Sequence, residues 1–164
     1  MDVFDAIRAR KSIRSYKPEQ VPQRLLEKLL EAARLAPSAK NLQNWKFIVV
    51  DDGEIKQRLV KACNNQAFVG SASHVIAGVC DPNLNRWHRI DMGIAMEHIA
   101  LEAVELGLGT CWIGAFDENA VKSVLKVPES MQVAALITVG FPADTPAPRP
   151  RKELGEIVLY NEYR

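Results

Sequence analysis

Residues 8–17 read Arg-Ala-Arg-Lys-Ser-Ile-Arg-Ser-Tyr-Lys, so five positive charges fall in ten residues with no acid among them. Such a run alone most often forms a solvated basic edge. The alternation of residue types supports a second reading. In extended chain Arg10, Ser12 and Arg14 project to one side, an array of donors that suits a phosphate and the polar edge of a ring. A second basic cluster, Arg149, Arg151 and Lys152, follows a stretch at 141–150 that holds four prolines. Two clusters so far apart in sequence could close on one phosphate, and spacing alone leaves that open.

Two further segments carry polar or small residues where a ligand needs them. Ala36-Pro37-Ser38-Ala39-Lys40-Asn41-Leu42-Gln43-Asn44-Trp45 reads first as a helix terminator followed by turn residues. The alternative is a rigid shelf of hydroxyl, amide and backbone groups beside a buried strand, and composition alone favours the terminator and turn. Gly107-Leu108-Gly109-Thr110-Cys111-Trp112-Ile113-Gly114-Ala115-Phe116 is neither GxGxxG nor a Walker loop. Gly114 and Ala115 fall at a strand end, where small side chains let a flat ligand approach backbone N–H groups or let a sheet pack closely on a helix.

Other chemistries have little support. Neither GxSxG nor HExxH is present. Ser123-Val124-Leu125-Lys126 fits SxxK by chance on an amphipathic helix. His88 and Asp91 stand one helical turn apart without a further placed ligand, so an ordinary polar pair is the better reading than a metal site. His74 and His98 read as packed and hydrogen-bonded. Cys111 lacks a basic neighbour in sequence and reads as a buried, inert thiol.

These residues must be positioned by an alternation of helices and strands. Asp2 caps a short helix whose Val3, Ala6, Ile7 and Arg10 share a face. Pro22 opens a second helix with the apolar stripe Leu25, Leu26, Leu29, Leu30 and Ala33, ended by Pro37. The segment 45–50 reads as a strand buried on both faces. Further helices are expected over 54–62 and 86–106, the latter stopped by Gly107, and another follows the Asp117 cap. Further strands are expected over 74–80, 110–114 and 133–139, with a strand-like tail at Ile157-Val158-Leu159-Tyr160.

This order argues α/β or α+β, in one domain over residues 1–164 without internal repeats. The helix over 86–106 is apolar nearly all round and must be covered on every side. A proline-rich arm, about 142–164, carries an apolar segment away from the domain. Together these favour a homodimer.

The 164 residues balance 21 Lys plus Arg against 20 Asp plus Glu, a net charge of +1, which gives no whole-molecule footprint for nucleic acid. The longest apolar stretches, about 8 residues, fall far short of the roughly 20 needed to span a bilayer. The acidic N-terminus lacks the pattern of a signal peptide. Three scattered cysteines make a disulfide framework unexpected, and a reducing cytoplasm is the expected location.

Taken in order, four landmarks resemble the nitroreductase family of flavin-dependent oxidoreductases. They are Arg10-Lys11-Ser12-Ile13-Arg14, the Ala-Pro-Ser…Asn…Gln…Trp loop at 36–45, Leu-Gly-Leu-Gly-Thr-Cys-Trp-Ile-Gly at 106–114, and Arg149-Pro150-Arg151-Lys152. The resemblance implies an α+β fold with a mixed central β-sheet flanked by helices. It further implies an intertwined homodimer with an exchanged C-terminal arm and two FMN molecules at the subunit interface. It assigns Arg10, Lys11, Ser12 and Arg14 to the FMN phosphate, ribityl chain and pyrimidine edge. Pro37, Ser38, Ala39 and Asn41 would come from the partner subunit, and Asn65 or Gln66 would reach the polar edge of the ring. The backbone of Ile113, Gly114 and Ala115 would face N5 and O4, while Arg149 and Arg151 close on the phosphate.

The implied activity is ping-pong transfer of a hydride from NAD(P)H through FMN to a nitroaromatic, quinone or similar acceptor, without a side-chain nucleophile. Arg14 and the Gly114 backbone would tune the flavin. Reductive dehalogenation, flavin fragmentation or a non-catalytic flavin-binding dimer are the alternatives on the same scaffold. The sequence departs from common family patterns at three places. Asn44 replaces a proline, which predicts a less rigid loop. Phe68 and Gly114 replace the lysine and glutamate of some members, so contacts there would be backbone-only or absent, which leaves the substrate preference open. The short chain predicts trimmed helices and a more open site.

Overall fold

The computed structural model describes residues 1–163, so the end of the expected arm, Arg164, lies outside the described residues. Helices α1 (Val3–Ala9) and α2 (Gln23–Arg34) come first, followed by a short 3-10 turn at Ala39–Asn41 and strand β1 (Lys46–Val50). Then come α3 (Gly53–Ala62), α4 (Phe68–Ser71), β2 (His74–Cys80), α5 (His88–Glu105) and β3 (Gly109–Ile113). Helix α6 (Glu118–Leu125), strand β4 (Gln132–Gly140) and helix α7 (Leu154–Ile157) complete the order.

The strands form one sheet in the order β1-β2-β4-β3, and every neighbouring pair is antiparallel. Among the described residues the parallel pairing is limited to an isolated bridge, Ser12 to Thr110. The expected mixed sheet is therefore confined to that bridge, while the α+β class stands. Strand alternation places Ile76, Cys80, Ile137 and Val139 against α2 and α5, and Val75, Ala77, Val79 and Leu136 against α3, α4 and α6. Helices on both faces explain why every residue of β2 is buried. Met92, Met96 and Ile99 of α5 are fully buried, each contributing roughly 1.5–3 kcal/mol of burial. Gly78 permits their approach, since a Cβ there would stand 2.5 Å from the Met92 sulfur.

Local rules account for most element ends. Asp2, Asp52 and Asp117 each accept a backbone N–H at a helix start. Gly107, at φ 71°, ends α5, with its N–H on the Val104 carbonyl and that of Leu108 on Ala103, the paired closure a left-handed residue allows. Pro22 stands at the cap of α2 rather than inside its first turn.

Two expectations are corrected. The segment 45–50 is an edge strand in which Val50 alone is well buried, because an apolar run has the same pattern in an edge and a central strand. The tail at 157–160 is not a strand. Its first residue, Ile157, ends helix α7, which opens on a reciprocal capping box between Glu153 and Glu156. Helix α5 is not enclosed within one chain, since Ile90 is 56% exposed and Ile94 and Leu101 are half-buried. The four-residue helix α4 was not foreseen.

Candidate functional site

The basic segment 10–16 is laid along the end of the sheet by pairing and by close approach. Arg10 caps α1 and turns the chain into extended conformation. Ile13 N–H donates to the Thr110 carbonyl at 2.8 Å, Lys17 N–H to Phe141 at 2.9 Å, and Ala143 N–H to Ser15 at 2.9 Å. Two glycines let this segment sit down. A Cβ at Gly109 would lie 2.6 Å from Ile13, and one at Gly140 would lie 2.7 Å from the Tyr16 ring. The Tyr16 hydroxyl donates to the Ile13 carbonyl at 2.8 Å and pairs with Thr138 at 2.7 Å. Burial pushes its pKa well above the ordinary value, so it stays a neutral anchor.

Arg10, Ser12 and Arg14 all act on Cys111 of β3, whose thiol burial pushes up against the pull of Arg14, the Ser12 hydroxyl and Arg10. Lys11 and Ile13 line a cavity of about 340 Å³ with Val104, Leu108 and Pro142. Arg14 also stacks over the Phe68 ring, 5.8 Å from its centroid. Arg10 pairs with Glu97 of α5 at 3.6 Å, and the other oxygen of Glu97 accepts the Trp112 indole N–H at 3.1 Å. Sequence reasoning missed Glu97; its one signal is an acid within an otherwise apolar stretch of α5.

A second turn closes on the same place. Asn64 and Asn65 adopt left-handed conformations, φ 55° and 58°, a geometry asparagine tolerates. They deliver Gln66, whose amide nitrogen donates to the carbonyls of Cys63 at 2.9 Å and Ala115 at 3.1 Å. Gln66 thus spends its donors on protein and holds the 114–115 segment, while Asn65 stays exposed. Ile113 is buried, and Gly114 and Ala115 are exposed, with open space where a Cβ at Gly114 would lie. One chain therefore brings together residues 10–14, 65–68 and 111–115.

The remaining candidates lie elsewhere. Pro37, Ser38 and Ala39 line a cavity of about 390 Å³ with Trp87, Ile90, Asp91 and Ile94. Asn41 is exposed in the same loop. Among the described residues no hydrogen bond or ion pair joins 37–41 to 10–14. The loop is not loosened by Asn44, which is buried and exchanges two hydrogen bonds with the Asp81 backbone, at 2.7 and 2.9 Å. Arg149 and Arg151 are exposed, and the Arg151 guanidinium reaches the carbonyls of Arg149 and Pro150.

His88 and Asp91 do not pair. His88 engages the Asn85 carbonyl and Gln132, each at 2.8 Å, whereas Asp91 accepts from Ala39. Among the described residues no group of three His, Cys, Asp or Glu side chains could hold a metal ion. Cys63 and Cys80 are buried, their pKa values pushed up to about 11 by desolvation. His74 and His98 are hydrogen-bonded to Ser73 and Ala32.

The sequence profile described as "Nitroreductase family" matches residues 7–83 and 81–141. The chain belongs to the nitroreductase family. This nitroreductase-family protein, an oxidoreductase, is 34% identical over 157 residues to a Methanothermobacter thermautotrophicus protein provisionally named NADH dehydrogenase/NAD(P)H nitroreductase, covering 91% of this chain and 82% of the relative. A nitroreductase family protein from Clostridium novyi NT superposes with a TM-score of 0.85 at 36% identity, covering 88% of this chain and 87% of that one. An FMN-dependent nitroreductase from Clostridium difficile R20291 does so at 0.87 and 31%, covering 98% and 99%. No helix among the described residues of the nitroreductase-family chain is long and apolar enough to cross a membrane.

Proposed function

We propose that this protein is an NAD(P)H-dependent flavin oxidoreductase that holds FMN in a crevice shared by two copies of a single domain. The observation that carries this reading is the convergence of three segments of one chain: Arg14 lies over Phe68, Ser12 bridges to Thr110 of β3, and Gln66 holds Ala115 beside the open backbone of Gly114. The donor set fits the group: two guanidinium ions and a hydroxyl suit a phosphate or an electron-rich ring edge, and a backbone clear of side chains suits a flat ring. The Clostridium difficile neighbour is described as FMN-dependent, which supports the same cofactor.

Arg10, Lys11 and Ser12 would hold the phosphate and ribityl chain, with Arg149 and Arg151 closing from the arm. Arg14 and Asn65 would meet the polar edge of the ring, and the Ile113–Ala115 backbone would orient it. Pro37, Ser38, Ala39 and Asn41 would come from the second copy. The apolar surface one chain leaves open supports that arrangement: Val3, Phe4 and Ile7 of α1, and Leu154, Ile157, Leu159 and Tyr160 of the arm, are 50–82% exposed. The exchanged arm covers such surface in the proposed dimer. Three free, buried cysteines suit a reducing cytoplasm.

When bound, FMN supplies the redox chemistry, accepting a hydride from NAD(P)H in one half-reaction and passing electrons to a nitroaromatic, quinone or similar acceptor in the other. Arg14, held over Phe68, would supply positive charge where reduction of the ring adds negative charge, and so would favour the reduced state. The test is an FMN fluorescence titration, light scattering, and anaerobic titration with NADH and NADPH. A dimer that binds FMN and is bleached by a nicotinamide is expected. A protein that takes up no FMN overturns the reading, as does a yellow protein that neither nicotinamide bleaches.

A further inference from the structure

The turn after α2 is held in a strained shape. Lys40, Asn41 and Gln43 have φ of 54°, 55° and 50°, three non-glycine residues in the left-handed region within four positions. Such backbone persists only where its surroundings over-determine it, and it gathers at binding sites. Part of the restraint is internal: the Ser38 hydroxyl accepts the Gln43 N–H at 2.9 Å. Asn44 anchors the end of the loop on the Asp81 backbone, and a further restraint comes from 52 residues away, where Oδ1 of Asp91 accepts the Ala39 N–H at 3.1 Å.

Asp91 is an unusual residue to find there. It is 4% exposed, on the first turns of α5, and its Oδ2 is buried with no hydrogen-bond partner. Leaving a carboxylate oxygen in that state costs stability, and a fold that needed only packing would place an apolar residue here. The start of α5, where helix N–H groups favour negative charge, makes the residue tolerable. What the carboxylate does in return is fasten Ala39.

We propose that Asp91 is a positioning residue, whose buried carboxylate clamps the Ala39 amide and holds the strained 38–43 turn in the shape that meets FMN. The functional half rests on the assignment of Pro37, Ser38, Ala39 and Asn41 to the flavin site; the clamp itself does not. Asp91 touches neither cofactor nor substrate in this role.

The experiment uses the full-length protein and three variants. Asp91→Leu removes the acceptor, Asp91→Asn keeps it, and Ala39→Pro removes the donor. Proline is compatible at 39 because Ser38 is already extended, φ −141° and ψ 155°. FMN dissociation constants are read by flavin fluorescence, and amide exchange of the 37–45 segment is followed without flavin. Loss of a charge-assisted bond predicts weakening of FMN by roughly tenfold or more in Asp91→Leu, with Asp91→Asn within about threefold of the parent. Ala39→Pro should weaken FMN comparably, and the Asp91→Leu/Ala39→Pro pair should lose no more than either alone. Should Asp91→Leu fail to fold, Ala39→Pro still removes the same bond. Unchanged amide exchange in the variants overturns the clamp and leaves the flavin assignment standing. Faster exchange with unchanged FMN affinity removes the turn from the flavin site, overturning that assignment and the functional half with it.

Discussion

Gly109→Ala measures how far the donor array depends on close packing against β3. The added Cβ would lie 2.6 Å from Ile13 Cγ1, 2.9 Å from its Cβ and 3.0 Å from its Cγ2. Carbon atoms rest about 3.5–4.0 Å apart, so Ile13 must retreat by about 1 Å. Because its Cβ is among the atoms struck, a change of rotamer does not relieve the contact, and the backbone must move. The Ile13 N–H bond to Thr110, now 2.8 Å, then lengthens beyond useful range. Overpacking costs about 1–3 kcal/mol and the bond about 1 more, a total of roughly 2–4 kcal/mol. For a chain of this size that lowers Tm by on the order of 5–15 °C. Arg10, Ser12 and Arg14 move with the segment, so FMN should bind about tenfold more weakly or worse. The assay is thermal melting of the flavin-free protein by circular dichroism, since bound ligand would mask the loss, followed by an FMN titration. Gly114→Ala is the control: open space surrounds its Cβ, and its Tm should stay at the parent value. Parental melting by Gly109→Ala, or lost stability with intact FMN affinity, refutes the reasoning.

Arg14→Ala, still loaded with FMN, should show a lowered flavin reduction potential and slower reduction by NAD(P)H; an unchanged potential removes Arg14 from the ring edge. Arg151→Ala should weaken FMN but leave riboflavin binding alone, whereas equal losses argue against a phosphate contact. His74 is held below its ordinary value of 6.5, chiefly by burial, with Asp51 opposing and Lys56 adding to the effect. The unfolded ring therefore takes up a proton before the folded one, so stability is full above about pH 6.5 and declines as pH falls from there toward the folded value. Urea unfolding from pH 7.5 to 5 should show that slope, and His74→Gln should flatten it.

The extended course of residues 10–16 was legible because it depends on local pattern. Arg10, Ser12 and Arg14 sit two apart, and a period of two survives any tertiary arrangement that keeps the segment extended. The caps at Asp2 and Asp117 and the stop at Gly107 are equally local. The residues that fix these pieces were not legible: Glu97 meets Arg10 across 87 positions, and Lys56 donates to the Ala72 and Ser73 carbonyls from inside the protein. No spacing rule reports such contacts. The tail shows two local signals in conflict. Its apolar run reads as strand, yet Glu153 and Glu156 open a helical turn that takes in its first residue. Residues 37–41 and 149–151 are legible as polar loops, but what they face lies outside the reach of one chain's periodicity.

Helix α5 works as a ruler. Asp91 near its start engages the 38–43 turn, Glu97 in its middle engages Arg10, and Gly107 beyond its end launches the strand on which Ser12 rests. Six residues separate the first two marks, about 9 Å of rise. A single inserted residue between them would rotate one mark by about 100° against the other and lengthen the gap by about 1.5 Å. The count from 91 to 107 is therefore fixed by the three contacts it spaces.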